Sequence, residues 1–581
     1  MTDRRTALGP RIEDVDSLHL LGAWMERMEL SPILDEVLGV PHGNWGGISP
    51  GRVGMGFLLY VVSARHHCIV PVEEWGRDHL ETLRHVLGAD VGVGDFTDDR
   101  ILHVLGQLGE ETARRWEGLE QRLGAHLVQA FALPRETART DSTTFVLYHG
   151  ADGTLARFGH SKERRPDLRQ FKAVLSTLDP LGLPLVTEVV AGNVADDGVY
   201  VGAWERMCAI LGGPDFVLVA DCKFSCLGNR GQVARGDGIY YAPMPGTGKV
   251  PEMIREWVLG AGFQAQEIRL SSLAEGEESP WWGTERTQPM TWTDPASGVA
   301  FTWDERWCLV RNVERVSEQW ENLGLRLKAA EQELQALGQA PGEEVAPVED
   351  KVAEILKRHR VGAYLRVEVA AQARYRKVYE GPGRPGPQRS YRRKRYYEIQ
   401  LRVQREEAQL EEFLKLAGWR IHVTNAAPDR LSLAEGVERY QGQWQPERGF
   451  HRWKGGEVPM VPLYLRDDDR IRGLVVILGL ALRLLTLMEY VVREQLAQEE
   501  EPTVAGLYAG NPKRATARPT AEKMRRAFQG IRRCEVWHPE GVEVYVTPLN
   551  ALQKRLLQLM GLPETIYTDL ARPVEKSVRA P

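Results

Sequence analysis

The run Asp215-Phe-Val-Leu-Val-Ala-Asp221 constrains this chain more than any other stretch. An unbroken apolar segment of this length, closed by an acid, reads as a strand of the buried type. Upstream, Thr143 to Tyr148 is β-branched and aromatic, with Asp141 at its start. Leu155 to His160, Phe171 to Asp179 and Leu183 to Val190 follow as strands, and a helix from about Asp197 to Leu211 leads into the apolar run.

With Leu155–His160 set aside as an excursion from the first strand, three strands, a helix and a fourth strand remain. That is the order of a ribonuclease H-like sheet. The expected class is therefore α/β: a ribonuclease H-like catalytic core interrupted by a large insertion, with a helical N-terminal domain and a small C-terminal appendage. A parallel pairing of the first and fourth strands would bring Asp141 and Asp221 together across 80 residues of sequence. Two carboxylates meeting at strand ends repel unless a cation lies between them, and oxygen ligands of this hardness suit Mg²⁺ or Mn²⁺. Taken singly, each acid reads first as a cap, Asp221 of the following helix and Asp141 of a turn.

At 581 residues the chain has room for three or four domains. Its formal net charge of −6 means that any surface for nucleic acid must be local. Residues 1–134 read as a helical DNA-binding or assembly region, with glycine-rich joints at 43–56 and 88–94. The core is expected over 135–250 and resumes over 406–498. Between them, 251–405 reads as the insertion: a Trp-rich β-like part, charged helices able to pair two subunits, and a basic segment. A second charged helix, Val403 to Leu416, then returns to a strand, Trp419 to Thr424. Residues 499–581 form the appendage. Gly51-Arg-Val-Gly54-Met-Gly56 follows no strand, and Pro243-Met-Pro-Gly-Thr-Gly-Lys249 has Pro where a phosphate loop needs Gly, so neither is a nucleotide site. Cys222 and Cys226 lack a second pair at zinc spacing and read as core residues. The apolar run Gly473–Leu482 ends at Arg483, short of a membrane span, and no apolar leader follows Met1. A cytoplasmic protein with reduced thiols is expected.

The segment Tyr440-Gln-Gly-Gln-Trp-Gln-Pro-Glu447-Arg-Gly-Phe-His-Arg-Trp-Lys454 carries the third acid. Positions seven apart are close to two helical turns, so on a continuous helix Tyr440, Glu447 and Lys454 share a face with Gln443 and His451. Phe450 and Trp453 would pack the opposite side. Pro446 is costly inside a helix and acceptable in its first turn, so the helix either runs through or starts there. In the second case Tyr440 leaves the stripe.

Thr140-Asp141-Ser-Thr-Thr, Val219-Ala-Asp221 and Tyr440-x2-Gln443-x3-Glu447-x6-Lys454 resemble the three blocks of DDE transposases from bacterial insertion sequences, in the class whose third block reads Y-x2-R-x3-E-x6-K. Gly159-His-Ser-Lys162-x2-Arg165-Pro-Asp-Leu and Pro462-Leu-Tyr-x5-Arg470-Ile resemble two further segments of that class. The resemblance covers about 135–240 and 415–490, and the class carries a large insertion between its second Asp and its Glu.

It implies that Asp141, Asp221 and Glu447 bind Mg²⁺ or Mn²⁺ and direct first water, then a DNA 3′-hydroxyl, at phosphorus. Lys454 would touch a phosphate near the scissile bond, beside Tyr440. Trp444 is either a stacking platform for an unpaired base or a core residue. Lys162 and Arg165 would follow the backbone. Gln443 stands where the family has Arg, and Arg448 and Arg452, both off the stripe, are candidates to replace that cation. The basic window through Arg392, Arg393, Lys394 and Arg395, interleaved with Tyr391, Tyr396 and Tyr397, suits phosphates and stacked bases, and reads equally as a flexible surface loop. The implied partners are double-stranded DNA, as transposon ends and as target, and a second copy of the chain in a homodimer. The implied setting is the nucleoid of a bacterial cytoplasm. A nuclease without strand transfer and a domesticated DNA-binding factor are the competing readings.

Overall fold

A computed structural model describes residues 10–571, apart from 41–42, 149, 151–152, 162–163, 339–344, 381, 383–386, 388–389 and 539–540. The chain divides into two compact units. The first takes the residues up to Ala242, Pro289–Trp303 and those from Glu438 onward; the second takes Pro243–Gln288 and Asp304–Val437.

The first unit opens with β1 (Arg11–Asp14) and helices α1 (Leu18–Arg27), α2 (Leu30–Leu38), α3 (Pro50–Ala64), α4 (Val72–Asp78), α5 (Leu80–Leu87), α6 (Asp98–Gly109) and α7 (Arg115–Ala130). The expected joint at 43–56 is half helix: the Ser49 side chain caps α3 and Pro50 occupies its first turn, where no N–H is needed. Gly56 belongs there because a side chain would run into the Phe96 ring.

A mixed sheet follows, built from β2 (Thr137–Leu147), β3 (Arg169–Leu178), β4 (Leu183–Ala191), β5 (Val217–Ala220) and β6 (Ile239–Pro243), in the order β4-β3-β2-β5-β6. The first three strands are antiparallel neighbours, while β2–β5 and β5–β6 run parallel. Helix α8 (Tyr200–Leu211) connects β4 to β5, and α9 (Leu227–Arg235) connects β5 to β6. Strand β2 is buried along almost its whole length, so both faces are covered.

Three expectations need correction. Strand β2 begins six residues before Thr143, which puts Asp141 in its interior instead of at its start. The sequence hid this because Arg139 looks like a surface residue, yet it is 1% exposed and gives Asp179 contacts of 2.6–2.9 Å. Leu155–His160 is no strand and makes a single bridge, Arg157 to Gln170. Cys222 and Cys226 are half-buried and exposed, because Phe224 takes the buried place in that turn.

The second unit contains α10 (Val250–Leu259), β7 (Gln266–Glu267) and the inner parts of β8 (Trp281–Thr293) and β9 (Ala300–Asn312). It continues with α11 (Val313–Gly338), α12 (Ala346–His359), β10 (Leu365–Tyr379), β11 (Tyr391–Arg405), α13 (Glu407–Leu416) and β12 (Trp419–Thr424). Leu323, Leu327, Leu334, Val352, Leu365 and Leu410 share one apolar cluster, so α13 belongs with α11 and α12. The stretch from Val403, expected to be helical, first completes β11.

The chain returns to the first unit within α14 (Leu433–Gln441) and continues with α15 (Trp444–Lys454) and the 30-residue α16 (Asp468–Ala497). By length and composition α16 is apolar enough to cross a membrane, but its most apolar window is 89% buried in the protein. It crosses α6 where Gly109 and Gly473 bring the two backbones together. Helices α17 (Ala521–Arg526), α18 (Ala551–Leu559) and α19 (Thr565–Thr568) flank β13 (Arg532–His538) and β14 (Gly541–Val546). Because β13 pairs with β1 as well as β14, the C-terminal residues are joined to the start of the chain and are no loose appendage.

Candidate active site

The parallel ladder between β2 and β5 pairs Thr137 with Val217, and so on to Thr140 with Ala220. Asp141 and Asp221 are the next residue of each strand, so the two acids leave the ladder at the same level. Neighbouring strands are about 4.8 Å apart, so the two carboxyl groups start from adjacent backbone positions. The Tyr200 hydroxyl, at the start of α8, donates to Asp221 Oδ1 at 2.5 Å, and the Lys223 N–H donates to the same oxygen at 2.9 Å. The phenol is held well above its ordinary pKa by burial, then by the negative charges of Asp221 and Asp141. Tyr200 is thus a neutral donor within electrostatic reach of both acids. No separate signal marks it in the sequence, since one more aromatic at a helix start looks like core.

Glu447 comes from α15. The expected continuous helix from Tyr440 does not form: α14 ends at Gln441, Gly442 and Gln443 make a break, and α15 starts at Trp444. Pro446 is then the third residue of α15, inside the first turn whose N–H groups have no helical partner. Tyr440 and Gln443 therefore leave the Glu447 stripe, and neither lines the cleft described next. Three faces of α15 have separate duties. Phe450 and Trp453 are buried, with Trp453 edge-on to Phe145 of β2 at 6.2 Å. Arg448 and Arg452 turn to Glu489 of α16. Trp444, Glu447, His451 and Lys454 line an open cleft of about 580 Å³ whose other wall includes Asp141, Ser142 and Thr143.

The cleft settles several expectations. Trp444 is 53% exposed, so it is not a core tryptophan. Lys454 is exposed, with its ammonium 5.4 Å from the Phe145 ring centre. Arg448 lines the cleft, but its guanidinium is bonded to the buried Glu489 carboxylate, a structural duty the sequence did not reveal. Arg165 is exposed and makes contacts of 2.9 and 2.7 Å with Asp167. Lys162 lies outside the described residues. Arg392, Arg393, Lys394 and Arg395 lie in the second unit on β11, where a loop was as plausible as any other form.

Among the described residues no three Asp, Glu, His or Cys side chains stand close enough to form one ion's shell. The arrangement is a side-by-side pair on the sheet and a third carboxylate on the facing helix. Two divalent ions about 3.5–4 Å apart would draw oxygen ligands from more than one of these acids. The acids fit that requirement in kind: all-oxygen donors, two fixed by strand register and one across a cleft open to solvent. Compared with protein-family models and with curated proteins, the chain matches none.

Proposed function

We propose that this chain is a DNA transposase of the DDE type, cutting at transposon ends and joining the freed 3′-hydroxyl to target DNA. The register that ends at Thr140–Ala220, and so levels Asp141 with Asp221, is the observation that carries the reading. Two antiparallel pairs followed by two parallel pairs, with α8 leading into β5, support a ribonuclease H-like core whose insertion supplies the second unit, 243–288 and 304–437.

In this reading Asp141 and Asp221 hold Mg²⁺ or Mn²⁺ from the sheet, and Glu447 holds it from the facing helix. When bound, the ions supply charge neutralisation and an activated attacking oxygen for in-line phosphoryl transfer. Tyr200 fixes the orientation of Asp221, so one carboxylate oxygen is already occupied and the other is left for ligation. Lys454 meets a phosphate, and the exposed Trp444 ring offers a face for an unstacked base. Pairing two DNA ends calls for two copies of the chain.

The test uses DNA carrying the sequences that flank the gene. Asp141→Asn, Asp221→Asn and Glu447→Gln should each lower metal-dependent cleavage by about 10²-fold or more while end binding persists. A variant that cuts at the wild-type rate removes its residue from the site. Cleavage without covalent joining of a 3′-end would instead identify a nuclease. The remaining alternative is a domesticated DNA-binding factor, and the three intact acids argue against it. Calorimetry with Mn²⁺ separates that case, because such a factor would release no binding heat.

A further inference from the structure

Strands β10 and β11 form a two-stranded ribbon of 15 cross-strand pairs, from Leu365 opposite Arg405 to Tyr379 opposite Tyr391. Its two halves differ. Near the base, Leu365, Val367, Val369, Leu401 and Val403 pack on the apolar cluster of α11 and α12. From Ala370 to Lys377 every β10 residue is exposed, and the last buried residue of β11 is Ile399, opposite Ala371, so beyond that pair the outer half has no buried residue on either face. An isolated two-stranded ribbon of this kind is marginal in water.

Charge makes the outer half odder still. Residues 373–379 and 391–397 hold seven basic side chains and no acidic one: Arg374, Arg376 and Lys377 on β10, and the run 392–395 on β11. Cross-strand partners share a face, and successive pairs alternate faces. Arg376 stands opposite Lys394 on one face, and Lys377 opposite Arg393 on the other. Like charges directly across a ladder destabilise it. Tyrosines cover part of the cations, with Lys377 Nζ 4.5 Å from the Tyr391 ring centre and Arg395 4.8 Å from that of Tyr397. Arg374 is paired with Glu398 at 3.1 Å, at the edge of this stretch. In a chain of net charge −6, the seven cations on seven pairs still form a local excess of positive charge about 20–25 Å long.

A ribbon with cations on both faces matches an occupant that presents phosphates on two sides. The major groove of B-DNA is about 12 Å wide, admits a two-stranded β-ribbon and is walled by both phosphate strands. The corresponding groove of double-stranded RNA is too deep and narrow to be entered. We infer that the outer half of the β10–β11 ribbon enters the major groove of double-stranded DNA, its two faces turned to the phosphates of opposite strands. This deepens the proposed function, resting on its choice of DNA as substrate, and adds a DNA contact separate from the acidic site.

The experiment uses the full chain in EDTA, so catalysis contributes nothing, and a 30-base-pair duplex without flanking-gene sequence. Binding is followed by anisotropy across a salt series. The fourfold variant Lys377→Ala, Arg376→Ala, Arg393→Ala, Lys394→Ala should reduce the slope of log K against log[salt] by about 3–4 and weaken binding at low salt by at least tenfold. Its thermal midpoint should hold or rise, because two like-charge pairs disappear. Wild-type protein should also protect guanine N7, a major-groove atom, from methylation, and the variant should not. An unchanged slope overturns the inference. So does protection lost to a minor-groove competitor, or equal binding of double-stranded RNA or of an acidic protein. If the ribbon passes while wild-type protein neither cuts nor joins DNA, the transposase reading fails alone.

Discussion

Glu489→Gln should unfasten α15 from α16 and show what holds Glu447 in place. The Glu489 side chain is 1% exposed on α16. Its Oε1 accepts from Arg452 at 2.5 Å and from the Ala521 N–H at 2.8 Å; its Oε2 accepts from Arg448 and, at 3.2 Å, from Arg493. Burial lowers the Arg452 pKa, but the two carboxylates Glu489 and Glu522 outweigh it and leave the guanidinium above its ordinary value. Glutamine keeps the shape and removes the charge. Arg448 and Arg493, each 26% exposed, can turn to water, so their share is small. Arg452 is 6% exposed and would keep Glu522, at 2.8 Å, as its carboxylate partner, beside the Thr486 hydroxyl at 3.3 Å. Removing one member of a buried ionic group costs about 3–5 kcal/mol, and with two of three cations able to escape the lower end applies, about 3 kcal/mol. That is a large part of an ordinary stability margin of about 5–15 kcal/mol. Urea unfolding is the assay, since guanidinium chloride would screen the charges. Single-turnover cleavage, measured where the variant is still folded, should fall at least tenfold, because Glu447 and Arg448 are neighbours on one helix. A loss below about 1 kcal/mol with full cleavage would refute the reasoning, since it would mean the cluster is effectively solvated.

Other outcomes follow from single groups. Tyr200→Phe removes the hydroxyl from Asp221 Oδ1 and should raise the Mg²⁺ concentration needed for half-maximal cleavage by about 10–100-fold, while Tyr200→Trp gives no rescue. His19 and His422 are buried and held neutral, each pulled down to about 3 chiefly by burial. The unfolded chain binds these protons first, near pH 6.5, so stability is complete above that pH and falls as pH drops toward 3. At pH 5 each histidine should cost about 2 kcal/mol, read as a lower urea midpoint than at pH 7.5. His422→Gln should remove part of that slope from the second unit and none from the first; an unaltered slope would show the ring is protonated in the native state.

Much of the sheet was legible because its signal is local. The apolar run before Asp221 and the β-branched residues after Asp141 announce strands, and β12 falls where Trp419 to Thr424 alone indicated. The register was legible only as a possibility, since strand pairing depends on contacts 80 residues apart, and it is the part on which the site rests. What sequence concealed were polar residues doing buried work. Arg139, Arg452, Arg483 and Glu120 are charged and nearly inaccessible, and periodicity scores each as surface. The ribbon was concealed differently: Arg, Lys and Gln dominate it, so only the pairing of β10 with β11 reveals that the basic window is half of a longer structure.

The two kinds of anchoring in the site suggest a division of labour. Asp141 and Asp221 are fixed by a ladder covered on both faces, and a one-residue slip would turn either acid away from the other. Glu447 is anchored otherwise, on a helix that begins after the break at Gly442–Gln443 and is oriented by ionic bonds to Glu489. A register admits no intermediate positions, whereas a helix held by side chains can adjust by fractions of an ångström. If ions bind first at the sheet pair and the third carboxylate completes the shell when DNA enters the cleft, the rigid and adjustable parts fall where that order needs them. Mn²⁺ affinity without DNA should then depend on Asp141 and Asp221 and be nearly indifferent to Glu447→Gln. A large loss of DNA-free Mn²⁺ affinity on Glu447→Gln would mean that all three acids meet before substrate arrives, and the division would be wrong.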